Sequence, residues 1–327
     1  MHYVRVLQAV TAVPWAILPQ KLAVIQDLLA IRLAGGALDD ETVRERLEAA
    51  QNTQREVSAA AGRATISQRS VAVLPLVGTI VPRGDMFTAS SGAVSASAFR
   101  ARFNDAVADP SIGHIIIDID SPGGQVGGVP ELFEAIYDAR GRKPITAVAN
   151  TLAASAAYWA ASAADEIVVT PSGEIGSIGV FAMHQDISAY LEQEGVKVNL
   201  IAAGKYKTEG NPYEALGEEA RAAIQKQVDM YYDLFTTAVA RGRGVSAAAV
   251  RDGMGQGRVV GAHEAVSLGM ADRVATLGDV IDDALRSVNT PTGKSADYRM
   301  RRQRLAAAAI SAAHSVECRP VPTNDNR

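Results

Sequence analysis

The sequence has little cysteine, no clear metal-ligand pattern and no excess of basic charge. Its only cysteine, Cys318, excludes an intramolecular disulfide and a cysteine-based zinc site, so a reducing compartment is expected. The five histidines lack the spacing typical of metal ligands. The net charge of −4 argues against broad nucleic-acid binding, which needs a concentrated basic surface. We therefore expect a protein without disulfides, metal or nucleic acid.

The sequence also lacks a hydrophobic run long enough to cross a membrane. Residues 6–20 are uncharged and mostly apolar, but Pro14 and Pro19 interrupt them. A membrane-spanning helix needs roughly 20 apolar residues. No convincing cleavage site follows, so the pattern favours a packed N-terminal segment over a signal peptide or anchor. We expect a cytoplasmic protein with no integral membrane segment.

The composition predicts one large folded domain with extensions. Hydrophobic residues make up 48% of the 327 residues and charged residues 21%, which is typical of a globular chain with a sizeable core. Three regions are predicted: a helical arm over 1–65, a folded domain over 66–283, and a basic, alanine-rich, flexible tail over 284–327. Within the arm, helices are expected over 20–33 and 39–60.

The folded domain alternates strand and helix patterns. This alternation predicts βαβ units in an α/β fold, with a mainly parallel sheet flanked by helices. Short β-branched or apolar runs predict strands over 71–81, 114–120, 144–150, 165–171, 176–182 and 196–202. Amphipathic patterns predict helices over 97–108, 130–140, 155–164, 187–194, 217–241, 245–252 and 262–268.

A glycine-rich loop follows the second of these strands. The sequence DIDSPGGQVGG places Gly123 and Gly124 just beyond an apolar strand. Functional loops of open α/β sheets lie at the carboxyl ends of strands. Adjacent glycines let backbone N–H groups approach a ligand atom, as an oxyanion hole requires, although a plain tight turn fits the same pattern. A phosphate loop is not favoured because the Walker lysine is absent.

Ser155 stands where the next strand gives way to a helix, in the sequence AASAAYWA. A strand–turn–helix junction projects a side chain out of the sheet edge, and a helix N-terminus favours developing negative charge. The N–H of Ala156 is a candidate second oxyanion donor. The surrounding alanines also permit close packing, so the local sequence alone favours Ser155 as a packing residue.

A serine needs a base to act as a nucleophile. His184, with Asp186 close by, is one candidate. Lys207, in the polar sequence GKYKTEGNPY, is another, and Lys205 should point to the opposite side of an extended segment. A lysine acts as a base only where its surroundings lower its pKa. Taken in isolation, Lys207 reads as a surface lysine.

Taken together, these segments resemble the signal peptide peptidase A family of serine proteases. The likeness rests on DSPGG (120–124), residues 153–171, GSIGV (176–180), GKYKTEGNPY (204–213) and residues 257–272, all in family order. It covers roughly residues 71–280. The family has a ClpP/crotonase-like fold, which the resemblance implies here too. The usual Ser-Gly-Gly-Tyr of the family is Ser-Ala-Ala-Tyr in this chain.

The resemblance also implies a mechanism. Ser155 matches the family's nucleophile and Lys207 its general base. Gly123, Gly124 and the Ala156 N–H match its oxyanion hole. No metal or organic cofactor is implied. The residues 13–25 are similar to those of phage and prophage members, which suggests a head-maturation protease acting on scaffold, capsid or portal proteins and a ring-like homo-oligomer.

Four alternatives remain open at this point. One is a signal-peptide-degrading peptidase with the same dyad. Another is a ClpP-like Ser–His–Asp peptidase that uses His184. The third is an acyl-CoA hydratase or isomerase, for which no suitably placed acidic pair follows the glycine loops. The last is a non-enzymatic capsid or portal-associated protein in which Ser155 only packs.

Overall fold

The computed structural model describes residues 14–22, 70–84 and 92–289. The strands are β1 Trp15–Ile17, β2 Ser70–Val77, β3 Thr79–Val81, β4 Ala93–Ser95, β5 Ile112–Ser121, β6 Gly123–Gln125, β7 Ile145–Ala154, β8 Glu166–Val169, β9 Glu174–Gly176, β10 Val259–Gly261 and β11 Arg273–Val274. The helices are α1 Ala96–Ala108, α2 Val129–Asp138, α3 Ala156–Ala161, α4 Ser188–Gln193, α5 Glu218–Arg243, α6 Ala247–Gly253, α7 Ala262–Ser267 and α8 Leu277–Asn289.

The larger sheet has seven strands and is mostly parallel. Its main path runs β10-β9-β7-β5-β2, and β8 lies between β7 and β11. Strand β7 is the branch point: residues 146–149 pair with β8, and residues 152–154 pair with β9. Its last residue, Ala154, directly precedes Ser155. Ser155 therefore lies at the end of the strand where the sheet divides.

Both faces of this sheet are buried. Ile115, Ile117 and Ile119 of β5 belong to the main core, whereas Ile116 faces a second cluster with Val280 of α8. Parallel strands buried on both sides read as nearly continuous apolar runs, which explains the sequence pattern of β5. The predicted α/β class with a mainly parallel sheet is confirmed.

The smaller sheet has four strands in the order β1-β6-β3-β4. Strand β6 pairs antiparallel with β1 and parallel with β3. Because β6 is the glycine loop of the sequence, this sheet sets the position of Gly123 and Gly124. It also brings residues of the N-terminal arm, more than 100 positions earlier, into the structured part of the molecule.

Most predicted elements are present, with three corrections. The predicted strand over 71–81 is broken at Gly78 into β2 and β3. The strand predicted over 176–182 is wrong, because β9 ends at Gly176 and only Phe181 forms a further β-bridge. The strand predicted over 196–202 is also wrong, because these residues are exposed and pair with no strand among the described residues.

The N-terminal region is only partly described. Residues 14–17 and Leu22 are buried, as a packed segment would be. Most of the helix predicted over 20–33, and all of that over 39–60, lie outside the described residues, as does the predicted tail beyond 289. None of the helices in the described ranges combines the length and apolar character needed to span a bilayer.

Candidate active site

Ser155 follows the end of β7 and occupies the N-cap position of α3 in an unusual backbone conformation. Its φ is 56° and its ψ is −118°, and only 1% of the residue is exposed. A positive φ at a non-glycine residue costs free energy and is held only where the surrounding structure enforces it. Here the Ser155 N–H donates to Gly176 O at 2.7 Å, and the Trp159 N–H donates to Ser155 O at 2.9 Å. The strained serine is thus fixed by the sheet on one side and by the helix on the other.

The glycine loop lies directly against Ser155. A methyl group at Gly123 would lie 2.9 Å from Ser155 Cβ and 2.2 Å from Ala16 O. At Gly124 it would lie 1.9 Å from Ile80 O. The φ of Gly123 is also positive, at 97°. Both glycines are therefore required by the close approach of the Ala16 and Ile80 carbonyls.

The backbone amides around Ser155 differ in their availability. The Gly123 N–H donates to Ser121 Oγ at 3.2 Å. Ala156 is the first residue of α3, so its N–H has no acceptor within the helix. Gly124 pairs with Ala16 across the β1–β6 ladder. The Gly123 amide is therefore used within the loop, whereas the Gly124 amide faces β1.

Helix α3 is held rigidly behind Ser155. The Trp159 ring stacks on Phe235 of α5 with centroids 4.6 Å apart. The buried Tyr158 hydroxyl donates to Met270 O at 2.9 Å. The Arg140 guanidinium donates to the carbonyls of residues 162–164 and of Gly242, which ties the end of α3 to α5. The alanines of the sequence AASAAYWA are all buried in this platform.

The candidate lysine bases lie in the segment between β9 and α5 and are exposed, in contrast to the buried Ser155. Lys207 is exposed in a turn, where its N–H donates to Gly204 O at 3.1 Å. Its ammonium makes no hydrogen bond or ion pair with the described residues. Lys205 pairs with Glu219 at 2.8 Å. The structure therefore brings Ser155, Gly123, Gly124 and Ala156 together, but it does not bring Lys207 to Ser155.

His184 does not form a triad with Ser155 in this structure. Its Nε2 lies 2.9 Å from Asn211 O, and Asp186 accepts a hydrogen bond from the Ser188 N–H at 2.9 Å. The Ser155 hydroxyl instead donates to Gly179 O at 3.4 Å. Within the described ranges, the Ser–His–Asp arrangement considered from the sequence is not assembled.

Two carboxylates near the glycine loop have raised pKa values. Burial raises the pKa of Asp118, and the Asn150 side chain partly opposes this. Burial also raises the pKa of Asp120, against the nearby charge of Lys21. Neither carboxylate hydrogen-bonds to Ser155, and the described residues contain no cluster of potential metal ligands. The groups gathered at the site are a hydroxyl and backbone amides, the types of group that attack a carbonyl and hold an acyl oxygen.

Comparison with known proteins agrees with these features. The model of peptidase family S49 matches residues 138–290, a range that includes Ser155 and Lys207. The chain is 36% identical to the capsid assembly protease C of Escherichia phage lambda over 64% of this chain and 48% of that protein. Residues 138–290 of the chain belong to peptidase family S49.

Two further likenesses complete the comparison. The chain is 35% identical to the head-tail preconnector protein GP5 of Enterobacteria phage P21, over 67% of this chain and 44% of that protein. It thus spans about half the length of the curated phage relatives it matches. A solved structure of the 1510-N membrane-bound stomatin-specific protease covers 66% of this chain with 16% identity and a TM-score of 0.42.

Sequence reasoning missed the part that β1 plays at the site. Trp15–Ile17 pairs with the glycine loop, and Ala16 O lies beside Gly123. The uncharged run around Pro14 was interpreted only as a packed segment. Local periodicity carries no information about its partner strand. The one available signal was the pair of prolines, Pro14 and Pro19, that bound a short extended stretch.

Proposed function

We propose that this chain is a serine endopeptidase in which Ser155 is the nucleophile and Lys207 the general base. The observation that carries the proposal is the buried, strained Ser155 held against the glycine loop. A purely structural serine gains nothing from a backbone conformation that costs free energy. In a nucleophile, the same strand–turn–helix junction holds Oγ in a fixed position at the start of the helix.

The geometry supports an acyl-transfer mechanism. Neutral Lys207 takes the hydroxyl proton as Ser155 Oγ attacks a peptide carbonyl, and the ammonium then protonates the leaving amine. The amides of Ala156 and the Gly123–Gly124 loop, chiefly Gly124, stabilise the oxyanion of the tetrahedral intermediate. Water activated by Lys207 then hydrolyses the acyl-enzyme. No metal or cofactor takes part in these steps.

This mechanism requires Lys207 to come closer to Ser155 than it lies in the single chain. The segment that carries it exposes large apolar side chains, including Ile201 at 99% and Tyr206 at 54% exposure. Val196, Val198 and Leu200 alternate along an extended, unpaired stretch of the same segment and are also exposed. Exposed apolar surface of this kind marks interaction sites. It supports a homo-oligomer, in which packing of this segment orders the base.

The substrate proposal follows from the phage relatives. We propose that the chain acts during phage head maturation on scaffold, capsid or portal proteins, within the host cytoplasm or the procapsid. The names of the lambda and P21 relatives support this. Preferential cleavage of signal peptides over scaffold and capsid proteins would instead favour a signal-peptide-degrading role.

Cleavage assays with matched lysine variants test the dyad. Purified wild type, Ser155→Ala, Lys207→Ala and Lys205→Ala are incubated with casein and with a candidate scaffold protein. Loss of the nucleophile or the base should lower kcat by at least about 1,000-fold. Lys205→Ala should stay within about threefold of wild type because its ammonium pairs with Glu219 at the surface.

Two results would overturn this assignment. Full activity of Ser155→Ala would remove the nucleophile. An active Lys207→Ala alongside an inactive Lys205→Ala would exchange the two lysines. A His184→Ala variant is the control for the triad alternative, and it should retain activity.

A further inference from the structure

The neighbours of β1 resemble those of a bound peptide more than those of an ordinary edge strand. On one side, Trp15–Ile17 pairs antiparallel with Gly123–Gln125. On the other side, Trp15 exchanges two backbone hydrogen bonds with Phe181, at 2.9 and 3.0 Å. An extended peptide that adds itself as a strand gains affinity from this kind of main-chain pairing. β1 thus fills a slot between the glycine loop and the chain that follows Gly179.

The register directs the Ala16 carbonyl to the candidate oxyanion donor. The Leu18 N–H donates to Pro122 O at 3.0 Å, and the Val126 N–H donates to Pro14 O at 3.4 Å. Hydrogen-bonded pairs alternate along an antiparallel ladder, so Ala16 and Gly124 form the next such pair. Their pairing directs Ala16 O toward the Gly124 N–H.

Ala16 also lies beside the nucleophile. A methyl group at Gly123 would touch both Ala16 O and Ser155 Cβ, at 2.2 and 2.9 Å, so these atoms flank the same point. Ala16 is fully buried. Its side chain is small, and the alternation of the strand gives its neighbours, Trp15 and Ile17, the opposite side-chain direction.

The strand is anchored by its flanking side chains. Trp15, Ile17 and Leu22 form an apolar cluster of their own, against which Phe181 packs. All three are at most 3% exposed. The anchor lies on both sides of Ala16 in the sequence, so the segment is held across the site rather than by one end.

We propose that residues 14–18 occupy the peptide-binding cleft as an inhibitory strand, with the Ala16 carbonyl in the place of the substrate carbonyl that Ser155 attacks. The proposal rests on the proposed peptidase function. A substrate must displace this strand before it can be cut, and it binds in the same direction with a small side chain at the position of Ala16.

Loosening the anchor tests the proposal in the full-length chain. The variant Trp15→Ser with Ile17→Ser removes the apolar contacts that hold the strand and changes no residue of the proposed dyad. Casein cleavage should rise by at least about 10-fold over wild type. This corresponds to a binding free energy of the strand in the cleft that is weakened by about 1.4 kcal/mol. Gln20→Ala, at an exposed position of the same segment, is the matched control and should match wild type.

A synthetic peptide of residues 13–19, VPWAILP, supplies the second measurement. It should inhibit the loosened variant competitively, raising KM while kcat stays unchanged. The same peptide with aspartate in place of Ala16 should not inhibit, because the cleft would have to bury a carboxylate. Should the double variant fail to fold, Ala16→Asp in the full chain replaces it and should also activate.

The possible results distinguish failure of the inhibitory strand from failure of the proposed peptidase function. Equal activity of wild type and loosened variant, with no inhibition by the peptide, would overturn the inhibitory strand and leave the peptidase intact. Cleavage of wild type between Ala16 and Ile17 at the rate of substrate turnover would make the strand a substrate, not an inhibitor. Absence of cleavage in every variant would overturn the peptidase function itself, and the inference with it.

Discussion

The two halves of the proposed dyad lie in very different surroundings. Ser155 is 1% exposed and is fixed by hydrogen bonds to β9 and α3. Lys207 lies in an exposed turn of the segment between β9 and α5, whose apolar side chains reach 99% exposure at Ile201. The proposed nucleophile and oxyanion donors are held where the two sheets and the start of α3 meet, whereas the proposed base is carried by a surface segment.

This difference indicates which step of assembly controls activity. A site built into the core forms whenever the chain folds. A base on a poorly packed segment is ordered only by further contacts, such as those with a second copy or with a substrate that displaces β1. Substitutions around Ser155 should therefore lower both the stability of the fold and the activity. Substitutions in the segment between β9 and α5 should lower activity and association between copies but not stability.

The largest effect on stability is expected at Gly124. Gly124→Ala would place its methyl group 1.9 Å from Ile80 O, a backbone atom that cannot move without breaking the smaller sheet. We expect a loss of at least about 3 kcal/mol of unfolding free energy, and at least about 100-fold lower cleavage. Gly217→Ala is the control in the exposed segment, because its methyl group would meet nothing within 4 Å. Chemical denaturation and casein assays measure both. Equal effects of the two substitutions would show that the glycine loop is no more tightly packed than the exposed segment between β9 and α5.

Arg140→Ala should be nearly as damaging, without touching the site directly. It leaves the carbonyls of residues 162–164 and Gly242 without their shared donor at the end of α3. A loss of about 3 kcal/mol is expected from urea denaturation. Arg221→Ala, whose ion pair with Glu218 is exposed, should change stability by less than about 0.5 kcal/mol. A stability of Arg140→Ala close to wild type would show that α3 does not depend on this anchor.

His114 should make the sheet region sensitive to acid. Burial lowers the pKa of His114 to about 4 from its ordinary value of 6.5. Between these values the unfolded chain binds a proton that the folded chain does not, so stability falls as the pH falls through this window. The expected loss between pH 7 and pH 5 is about 2 kcal/mol, and His114→Gln should remove it.

The control for this prediction is His263→Gln, at an exposed position of α7, which should leave the pH dependence unchanged. The measurement is the unfolding free energy of wild type and both variants at pH 7 and at pH 5. An unchanged pH dependence in His114→Gln would show that other groups cause it. Asp118, whose pKa burial raises, acts in the opposite direction, because its folded form binds a proton more readily than its unfolded form as the pH falls.

The smallest effect on folding is expected at Ile201. Ile201→Ser should change the unfolding free energy by less than about 0.5 kcal/mol because the side chain is exposed in the single chain. If it lies in a contact between copies, light scattering should show a smaller assembly, and cleavage should fall with it. Ala202→Ser, at a neighbouring exposed position, is the control. An unchanged mass and activity would contradict the proposed role of this segment.

The sequence was informative where local pattern decides the structure. Gly123, Gly124 and Ser155 were placed at strand ends because apolar runs followed by glycine or by a helix start are local signals. Pairing between distant segments has no such signal, which is why β1 was not foreseen beside the glycine loop. Residues 196–202 carry the β-branched alternation of a strand, but a strand also needs a neighbour, and residues 14–22, 70–84 and 92–289 provide none. The position of Lys207 depends on this same segment, so sequence order alone did not fix its distance from Ser155.

Covalent labelling tests directly whether Ser155 is a nucleophile covered by an inhibitory strand. The full-length protein, as wild type and with the loosened strand Trp15→Ser and Ile17→Ser, is treated with a fluorophosphonate and analysed by peptide mass spectrometry. We predict one adduct, on Ser155, that forms faster in the loosened variant and is absent from Ser155→Ala. An adduct that persists in Ser155→Ala, or no adduct in the correctly folded loosened variant, would show that Ser155 is not the nucleophile.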